Sequence, residues 1–238
     1  PLGSSHAPGA RACRSYWTVI TDMSDSPVLL TGGAGFIGSH LADALLDKGY
    51  RVRVLDNLST GKRANLPLQH ERIELIEGDV ADAALLQRCM AGCRAVVHLA
   101  AVASVQASVD DPVSTHQSNF IGTLNVCEAM RMHGVKRVLF ASSAAVYGNN
   151  GEGQAIDEDT PKAPLTPHAS DKLSSEHYFD FYRRQHGLEP VIFRFFNIFG
   201  PRQDPSSPYS GVISIFSERA QNGLPITVFG DGAQTRDF

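Results

Sequence analysis

The sequence predicts an α/β fold: a doubly wound sheet of parallel strands with helices on both faces. From residue 27 onward, short apolar runs alternate with longer segments whose apolar residues recur at helical spacing. The short runs are apolar at nearly every position, which is typical of strands covered on both faces. Connections between parallel strands are right-handed, so successive helices fall on the two faces of such a sheet.

Six strands follow from the short apolar runs. The first, at 28–31, ends at a cluster of glycines, and the second, at 52–55, ends at a turn-rich stretch, 56–61. The other four are predicted at 73–76, 95–99, 137–141 and 191–195.

Four helices are predicted between these strands. Residues 36–48 carry apolar residues at helical spacing and end at Gly49, a residue common just after helices. Residues 113–133 form the longest candidate, with Met132 among the residues on or near its apolar face. The remaining two helices are predicted at 81–90 and 170–186.

Composition and charge exclude several classes of protein. Apolar residues make up 42% of the chain and charged residues 19%, unlike a disordered chain. The net charge is −4 and no charge block exceeds three residues, which argues against a nucleic-acid or anionic-membrane surface. No apolar run approaches the roughly 18 residues of a membrane span. A cytoplasmic enzyme or small-molecule-binding protein is therefore expected.

The cysteines indicate neither disulfides nor a metal. They are Cys13, Cys89, Cys93 and Cys127, too few for a disulfide framework in 238 residues. Cys89 and Cys93 are four residues apart, but no second pair of cysteine or histidine ligands follows them. We therefore expect a reducing compartment and no metal site.

A glycine-rich turn lies between the first strand and the first helix. Gly32, Gly35 and Gly38 form the pattern G-x-x-G-x-x-G. Glycine permits a tight turn and a close approach of the backbone to a pyrophosphate, which the N-terminus of the next helix attracts. Asp56 ends the second strand, where a dinucleotide site places a carboxylate for the ribose hydroxyls. The pattern therefore predicts a Rossmann-type dinucleotide site.

The charge of Asp56 favours NAD over NADP, because it repels a 2′-phosphate. Four basic residues keep a 2′-phosphate clamp open as an alternative, namely Arg51, Arg53, Lys62 and Arg63. Asp56 could also simply cap a turn. Asp79, after the third strand, either contacts the adenine or caps the helix predicted at 81–90, or does both.

Six motifs resemble those of the extended short-chain dehydrogenase/reductases, in the NAD-dependent epimerase/dehydratase family. They are TGGAGFIGSHL (31–41), DNLSTG (56–61), GDV (78–80), HLAA (98–101), SSAAVYG (142–148) and FRFFNIFGPRQ (193–203). The resemblance covers residues 27–238 and is closest to the 4-epimerases of UDP-glucose and UDP-N-acetylglucosamine. It implies tightly held NAD, oxidation of the sugar C4 hydroxyl, rotation of the 4-keto sugar and return of the hydride to its other face.

The resemblance also implies a catalytic set of serine or threonine, tyrosine and lysine. Ser143 and Lys172 match this set, but His168 stands where the family has tyrosine. The four-residue spacing places His168 and Lys172 on one helix face, where the lysine charge depresses the histidine pKa. A neutral imidazole is also shorter than a phenolate and lacks its charge. Three interpretations stay open: an engineered or accidental change, a weakly active or repurposed natural member, and a native histidine base.

The resemblance further implies which residues bind the cofactor and the substrate. The cofactor set is Gly32, Gly35, Phe36, Ile37, Gly38, Asp56, Asn57, Ser59, Thr60, Gly61, Asp79, Val80, Leu99, Ala100, Ala101, Lys172 and Phe195. The substrate set is Ser104, Ser143, Asn197, Val212 and Arg236. Ser104 could instead be only a helix-start hydroxyl, and Arg236 only a solvated surface residue. By analogy, the helices at 113–133 and 170–186 imply a homodimer.

The chain is predicted to divide into three regions. We interpret residues 1–22 as a tag remnant or leader, the alternative being a genuine N-terminal arm. Residues 23–196 are the NAD-binding domain. Residues 197–238, rich in glycine, proline and serine, are the start of a nucleotide-sugar-binding lobe that we expect to be incomplete.

The predicted function is an NAD-dependent 4-epimerase of UDP-hexoses or UDP-N-acetylhexosamines, with activity impaired by His168. A catalytically silent NAD- or nucleotide-sugar-binding member and an NAD(P)-dependent nucleotide-sugar reductase are the alternatives. The dehydratase branch of the family has an acid pair directly after the catalytic serine or threonine. Ala144 and Ala145 stand there in this chain, so no general acid is available to eliminate water.

Overall fold

The computed structural model describes residues 25–150, 155–204, 211–228, 230–233 and 235. Its strands are β1 (Val28–Thr31), β2 (Val52–Asp56), β3 (Ile73–Glu77), β4 (Ala95–His98), β5 (Arg137–Ser143) and β6 (Glu189–Phe195). They form one sheet in the order β3–β2–β1–β4–β5–β6, and every neighbouring pair is parallel. The predicted doubly wound parallel sheet is therefore confirmed, and each predicted strand is present.

Seven α-helices lie in the described residues. They are α1 (Phe36–Asp47), α2 (Ala83–Met90), α3 (Val105–Asp110), α4 (Pro112–His116), α5 (Gly122–His133), α6 (Pro167–His186) and α7 (Val212–Gln221). Short 3₁₀ helices lie at Arg63–Asn65 and Ala144–Tyr147. Two of these helices were not predicted from the sequence: α3, which is only six residues long, and α7, which falls in the segment interpreted as irregular.

The core has two parts because successive residues of a strand face opposite sides of the sheet. Leu29 of β1 faces one side, where it packs in a cluster with residues of α2, α5 and α6. Its neighbour Leu30 faces the other side, in a cluster with residues of α1. Both leucines are fully buried. The helices of each face therefore hold the strand ends in a fixed arrangement, on which the site depends.

The helix predicted at 113–133 is not a regular α-helix. A π-helical segment, Gln117–Ile121, separates α4 from α5. The backbone N–H of Gly122 donates to the carbonyl oxygen of Gln117, five residues back, instead of four. Asn119 lies within this wide turn and is buried. Single π-helical turns of this kind are rare in α-helices and are often found at functional sites.

The described cysteines are free and buried. Cys89, Cys93 and Cys127 lie in the core, and burial raises the pKa of each thiol, that of Cys93 to about 11. Cys13 lies outside the described residues. In the described part of the chain, no three histidine, cysteine or carboxylate side chains are grouped to hold a metal ion. The helices there are also too short or too polar to span a membrane.

Candidate functional site

The glycine-rich turn joins β1 to α1 at the carboxyl end of the sheet. Gly32 has a φ of +70°, and a Cβ there would lie 2.7 Å from the backbone nitrogen of Ala100. A Cβ at Gly38 would lie 2.3 Å from the carbonyl oxygen of Gly32. Neither position accepts a side chain, so the turn packs against the end of β4 through bare backbone. Gly35 is the N-cap of α1 and has no side chain to accept a hydrogen bond. The first backbone N–H groups of the helix, those of Phe36 and Ile37 among them, therefore have no side-chain cap.

Asp56 ends β2 beside this turn, and its carboxylate is buried. Its Oδ2 accepts a hydrogen bond from the backbone nitrogen of Ala34, and its Oδ1 accepts one from Leu58, both at 2.8 Å. A Cβ at Gly61 would lie 2.8 Å from the same Oδ1, so the loop 56–61 wraps closely around the carboxylate. Carboxylate oxygens accept more than one hydrogen bond. Asp56 therefore fixes the loop and still has lone pairs for a ribose hydroxyl.

Asn57 and Asp79 link the loops that follow β2 and β3. The Nδ2 of Asn57 donates to Oδ2 of Asp79 at 2.8 Å, and Oδ1 of Asp79 accepts from the backbone nitrogen of Ala81 at 2.8 Å. The interpretation of Asp79 as the helix cap is wrong. Helix α2 begins two residues later than predicted, and Asp82 caps it by accepting from the backbone nitrogen of Leu85.

The other predicted cofactor residues differ in exposure. Val80 is buried in the core, so its side chain faces away from the site. Ser59 and Thr60 are exposed in the loop after Asp56. Leu99, Ala100 and Ala101 follow β4 and are partly buried.

The basic residues considered for a 2′-phosphate clamp are each paired with a carboxylate. The Nε of Arg53 lies 2.5 Å from Glu74, and its Nη1 donates to carbonyl oxygens at the end of α2. The other pairs are Arg51–Asp25, Lys62–Asp204 and Arg63–Glu77. These contacts favour a cofactor with a free 2′-hydroxyl.

Lys172 is a buried lysine on α6. Its Nζ donates to the carbonyl oxygen of Ala141 on β5 at 2.7 Å and lies 4.8 Å from the ring centre of Phe140. Burial lowers the pKa of this ammonium to about 8, and the charge of Asp171 opposes the shift. Ala141 supplies its one hydrogen-bond acceptor among the described residues, so two of its three donors remain for a ligand.

His168 lies one helical turn before Lys172 and is 4% exposed. Its Nδ1 lies 3.0 Å from the carbonyl oxygen of Val102, so Nδ1 carries the proton and donates it. The other nitrogen, Nε2, therefore holds the lone pair when the ring is neutral. Burial lowers the histidine pKa, and the nearby charge of Lys172 lowers it further. The ring is thus neutral near pH 7, with a basic nitrogen available.

Asn119 positions the segment that holds His168. Its Oδ1 accepts from the backbone nitrogen of Val102 at 2.7 Å, and its Nδ2 donates to the carbonyl oxygen of Val102 at 3.1 Å. The carbonyl oxygen of Val102 thus accepts hydrogen bonds from both Asn119 and His168. Asn119 was not predicted as a site residue, because it stands among other polar residues of the same segment, such as Gln117 and Ser118, and nothing in the sequence distinguishes it from them.

Ser143 is the last residue of β5, two positions after the carbonyl that holds Lys172. Its Oγ accepts a hydrogen bond from the backbone nitrogen of Ala145 at 3.1 Å and so caps the 3₁₀ helix that follows. The hydroxyl proton is still free to be donated to a ligand. Ser143 and the Lys172 ammonium therefore lie at the same end of β5.

A buried ion pair, which the sequence analysis missed, joins β5, β6 and α6 behind Ser143. Arg194 of β6 donates from Nε and Nη2 to the two carboxylate oxygens of Glu176, at 3.0 and 2.7 Å. The hydroxyl of Ser142 donates to the same carboxylate at 2.5 Å. The hydroxyl of Tyr147 accepts from Arg194 at 2.7 Å, so Tyr147 has a structural role here.

His98 forms a buried chain of hydrogen bonds below the glycine turn. Its Nδ1 accepts from the hydroxyl of Thr31 at 2.7 Å, and its Nε2 donates to the hydroxyl of Thr123 at 2.9 Å. The direction is fixed because Thr123 donates its own proton to the carbonyl oxygen of Asn119. Burial, with a smaller effect of Lys172, lowers the pKa of His98 to about 3. His98 is therefore a neutral structural residue that ties β1 and β4 to α5.

Acid is expected to destabilise the fold through His98. Between the lowered pKa of about 3 in the folded chain and about 6.5 in the unfolded chain, the unfolded chain binds the extra proton. The free energy of unfolding therefore falls with falling pH, by about 2 kcal/mol between pH 6.5 and 5. Urea unfolding at several pH values measures this slope. Replacing the exposed His133 by glutamine should leave the slope unchanged, whereas an equal slope in His98→Gln would contradict the assignment.

The four predicted substrate residues that the structure describes lie on four separate segments, of which Ser143 on β5 is described above. Ser104 begins α3, where its Oγ accepts from the backbone nitrogen of Ala107, as in the helix-start interpretation. Asn197 is exposed, two residues after β6. Val212 is the first residue of α7 and is 44% exposed. Arg236 lies outside the described residues.

Phe195, predicted beside the cofactor, is the last residue of β6. It pairs in register with Ser143 of β5, so both side chains belong to the carboxyl end of the sheet. Phe195 also lines a cavity of about 420 Å³ together with Tyr147, Glu176 and Arg194. The side chain is therefore close to the network behind Ser143.

The residues at this edge fit a dinucleotide cofactor. The turn at Gly32 and Gly38 forms a cradle that side chains would fill, at the N-terminus of α1. Asp56 offers a buried carboxylate at the end of the next strand. Lys172 carries two unused donors at β5, the second neighbour of β1 in the sheet. These three features match a pyrophosphate and two riboses in chemistry and in order.

Comparison with known proteins gives one family for nearly the whole chain. The model of the NAD dependent epimerase/dehydratase family matches residues 28–238. The UDP-glucose 4-epimerase of Mycolicibacterium smegmatis is 40% identical over 214 residues, which is 88% of this chain and 68% of that protein.

Solved structures give the same result. The UDP-N-acetylglucosamine 4-epimerase of Methanobrevibacter ruminantium M1, in complex with UDP-N-acetylmuramic acid, is 42% identical with a TM-score of 0.86, over 91% of this chain and 69% of that one. The dTDP-glucose 4,6-dehydratase of Streptomyces venezuelae, with NAD bound, is 35% identical with a TM-score of 0.78, over 88% and 66%. This chain thus spans about two thirds of the length of these relatives.

Proposed function

Since this chain belongs to the NAD-dependent epimerase/dehydratase family, we propose that it is a 4-epimerase of UDP-hexoses or UDP-N-acetylhexosamines. Family membership confirms the resemblance found in the sequence and the prediction of an NAD-dependent enzyme. The observation that carries this choice is the likeness to 4-epimerases of UDP-sugars, and His168 is the residue that would supply the base. Its Nδ1 is committed to Val102, which leaves Nε2 as a base on the same helix face as Lys172.

The reaction begins with removal of hydrogen from sugar C4. In our proposal Nε2 of His168 takes the proton of the C4 hydroxyl, while the hydroxyl of Ser143 donates a hydrogen bond to the C4 oxygen as it becomes a carbonyl. Bound NAD supplies the hydride acceptor and later the hydride donor. After the 4-keto sugar has rotated, the hydride returns to the other face of C4 and His168 returns its proton to the C4 oxygen. Atoms and charge therefore balance over the cycle.

Lys172 has two tasks in this proposal. Its two unused donors hold a ribose of the cofactor, and its charge adds to the effect of burial in lowering the pKa of His168, so that the ring is neutral before the reaction. Lys172 forms no salt bridge among the described residues, although the charge of the neighbouring Asp171 acts on it. The bond to Ala141 fixes the ammonium relative to Ser143 on the same strand.

NAD is the cofactor in this proposal, and Asp56 is its selective residue. Asp56→Asn keeps the size of the side chain but removes the charge that repels a 2′-phosphate. We expect NAD to bind about tenfold more weakly and the preference over NADP to be largely lost. Calorimetric titration with each nucleotide measures both effects. Asp47→Asn, on the exposed side of α1, is the matched control, and continued rejection of NADP by Asp56→Asn would contradict this role.

The activity itself is tested with the purified protein. Bound nucleotide is identified by mass spectrometry, and interconversion is followed for UDP-glucose with UDP-galactose and for UDP-N-acetylglucosamine with UDP-N-acetylgalactosamine. We expect NAD and slow turnover of at least one pair. Net consumption of NADH or NADPH with a nucleotide sugar would instead indicate a reductase.

A silent binding protein is the second candidate, and His168 is the observation that favours it. A neutral imidazole transfers a proton over a shorter reach than a phenolate and adds no negative charge to drive hydride transfer. Bound NAD without turnover of any nucleotide sugar would support this candidate. A 4,6-dehydratase is disfavoured, because Ala144 and Ala145 provide no acid after Ser143.

We also propose a homodimer and the domain division of the sequence analysis. The outer surface of α3, α4 and α6 exposes Val109, Val113 and Phe181, by 53%, 71% and 44%. Light scattering should give twice the chain mass of 25.7 kDa.

In the proposed division, residues 1–22 precede the fold, residues 23–196 bind NAD, and residues 197–238 begin the nucleotide-sugar lobe. Location in the cytoplasm stays a prediction from the sequence.

A further inference from the structure

The segment after β6 crosses the sheet edge on which the cofactor residues lie. Strand β6 is the third neighbour of β1, so about 14 Å separates the two strands. Only five residues lead from Phe195, at the end of β6, to Gly200, and five residues reach about 17 Å at most. A Cβ at Gly200 would nevertheless lie 3.4 Å from the ring of Phe36, at the start of α1. The segment therefore crosses the ends of β5 and β4, with one tight turn in which the backbone nitrogen of Ile198 donates to the carbonyl oxygen of Phe196.

Residues 200–204, which we name the clasp, then follow α1 along its exposed side. The Nε2 of His40 donates to the carbonyl oxygen of Pro201 at 2.9 Å. The guanidinium of Arg202 lies 2.7 Å from the carboxylate of Asp43, one turn further along the helix. The clasp is thus attached to the same helix whose N-terminus faces the glycine turn.

A second attachment joins the clasp to the loop that follows Asp56. The Nζ of Lys62 lies 2.9 Å from the carboxylate of Asp204. Lys62 comes directly after Gly61, which packs on Asp56. The crossing segment and the clasp together therefore connect the end of β6 with the loop after β2.

The backbone of the clasp is held in a conformation that arginine rarely adopts. Arg202 has a φ of +68°, in the left-handed region. A side chain with a Cβ persists there when surrounding contacts impose the conformation. The contacts of Pro201 and Asp204 on either side of Arg202 supply that constraint.

We propose that the clasp retains NAD during turnover, with His40, Asp43 and Lys62 as the residues that position it. This inference rests on the proposed function, because epimerisation needs one cofactor molecule to stay bound between two hydride transfers. A dinucleotide lying along the strand ends passes under the crossing segment, so release requires the clasp to detach from α1 and from Lys62. Arg202 and Asp204 thus act on cofactor release rather than on the chemical step.

The test is the rate at which labelled NAD leaves the loaded protein in an excess of unlabelled NAD. Arg202→Glu places two like charges together at Asp43, and we expect release about threefold to tenfold faster. Adding Asp43→Arg to that variant restores the pair and should restore slow release. Arg137→Glu is the matched control, because Arg137 forms a similarly exposed pair with Glu189 at the opposite end of the sheet.

Faster release in Arg202→Glu, with rescue by Asp43→Arg and no effect in the control, supports the clasp. Unchanged release in Arg202→Glu, or equal acceleration in Arg137→Glu, would overturn it while leaving NAD as the cofactor. Failure of the unmodified protein to take up NAD at any concentration would contradict the proposed function itself.

Discussion

Replacing Lys172 by methionine is expected to slow epimerisation by about three orders of magnitude. The change removes a positive charge that lies one helical turn from His168 and forms no salt bridge among the described residues. It also removes both donors proposed to hold the cofactor ribose. Methionine has nearly the same length and suits the apolar contact with Phe140. Folding should therefore survive. Initial rates with UDP-sugars and thermal melting measure the two effects separately.

The pH dependence distinguishes the charge of Lys172 from its hydrogen bonds. Burial lowers its pKa to about 8, so the ammonium is lost as pH rises through 8 and the rate should fall over that range. In Lys172→Arg the guanidinium stays charged, and the decline near pH 8 should disappear even if the rate is lower. Lys136→Met, at an exposed lysine bonded to the carbonyl oxygen of His186, is the control and should match the unmodified protein. A decline near pH 8 that persists in Lys172→Arg would sink this assignment.

Replacing His168 by tyrosine is expected to raise the turnover number about tenfold to a hundredfold. The phenol reaches further from the helix than the imidazole, and the charge of Lys172 stabilises the phenolate. The gain should appear mainly in kcat, because His168 contributes to proton transfer rather than to nucleotide binding. Rates with both UDP-hexose and UDP-N-acetylhexosamine pairs are the measurement.

The matched control for this change is His168→Phe, which has a similar ring and no proton acceptor. We expect it to bind NAD normally and to show no turnover. No gain in His168→Tyr with any UDP-sugar would contradict the view that histidine limits the rate. Activity in His168→Phe equal to that of the unmodified protein would exclude His168 as the base.

Much of the fold could be predicted because the strands are apolar and short. Each strand was found within two residues of its observed bounds, since buried parallel strands leave an unbroken apolar run. Helix faces were harder to predict. Met132 was placed on or near the apolar face of its helix, yet it is 63% exposed, because the face that packs on the sheet includes small and polar residues such as Thr123. Hydrophobic spacing gives such residues little weight.

Site residues could be predicted where the residue type alone suits the role. They could not be predicted where the role depends on a contact with a residue distant in the sequence. Gly32 and Asp56 are recognisable because only glycine fits the turn and a carboxylate suits a ribose. Arg194 and Glu176, and likewise Asn119, gain their roles from partners far away along the chain. No local pattern records such a pairing. The cap of α2 was misplaced by three residues because two aspartates, Asp79 and Asp82, stood near the predicted helix start.

The π-helical segment changes the direction in which side chains point on α5 relative to α4, although the two helices are continuous. Before it, His116 points to Asp171 on α6, at 2.7 Å. After it, Thr123 contacts His98, the last residue of β4, at 2.9 Å. One extra residue in the turn changes the phase of everything that follows, so the two halves are aimed as if they were separate helices. Deleting a single residue in this segment would convert it to a regular α-helix, and either His116 or Thr123 would then lose its contact. Substitutions that keep the number of residues would not reveal this requirement.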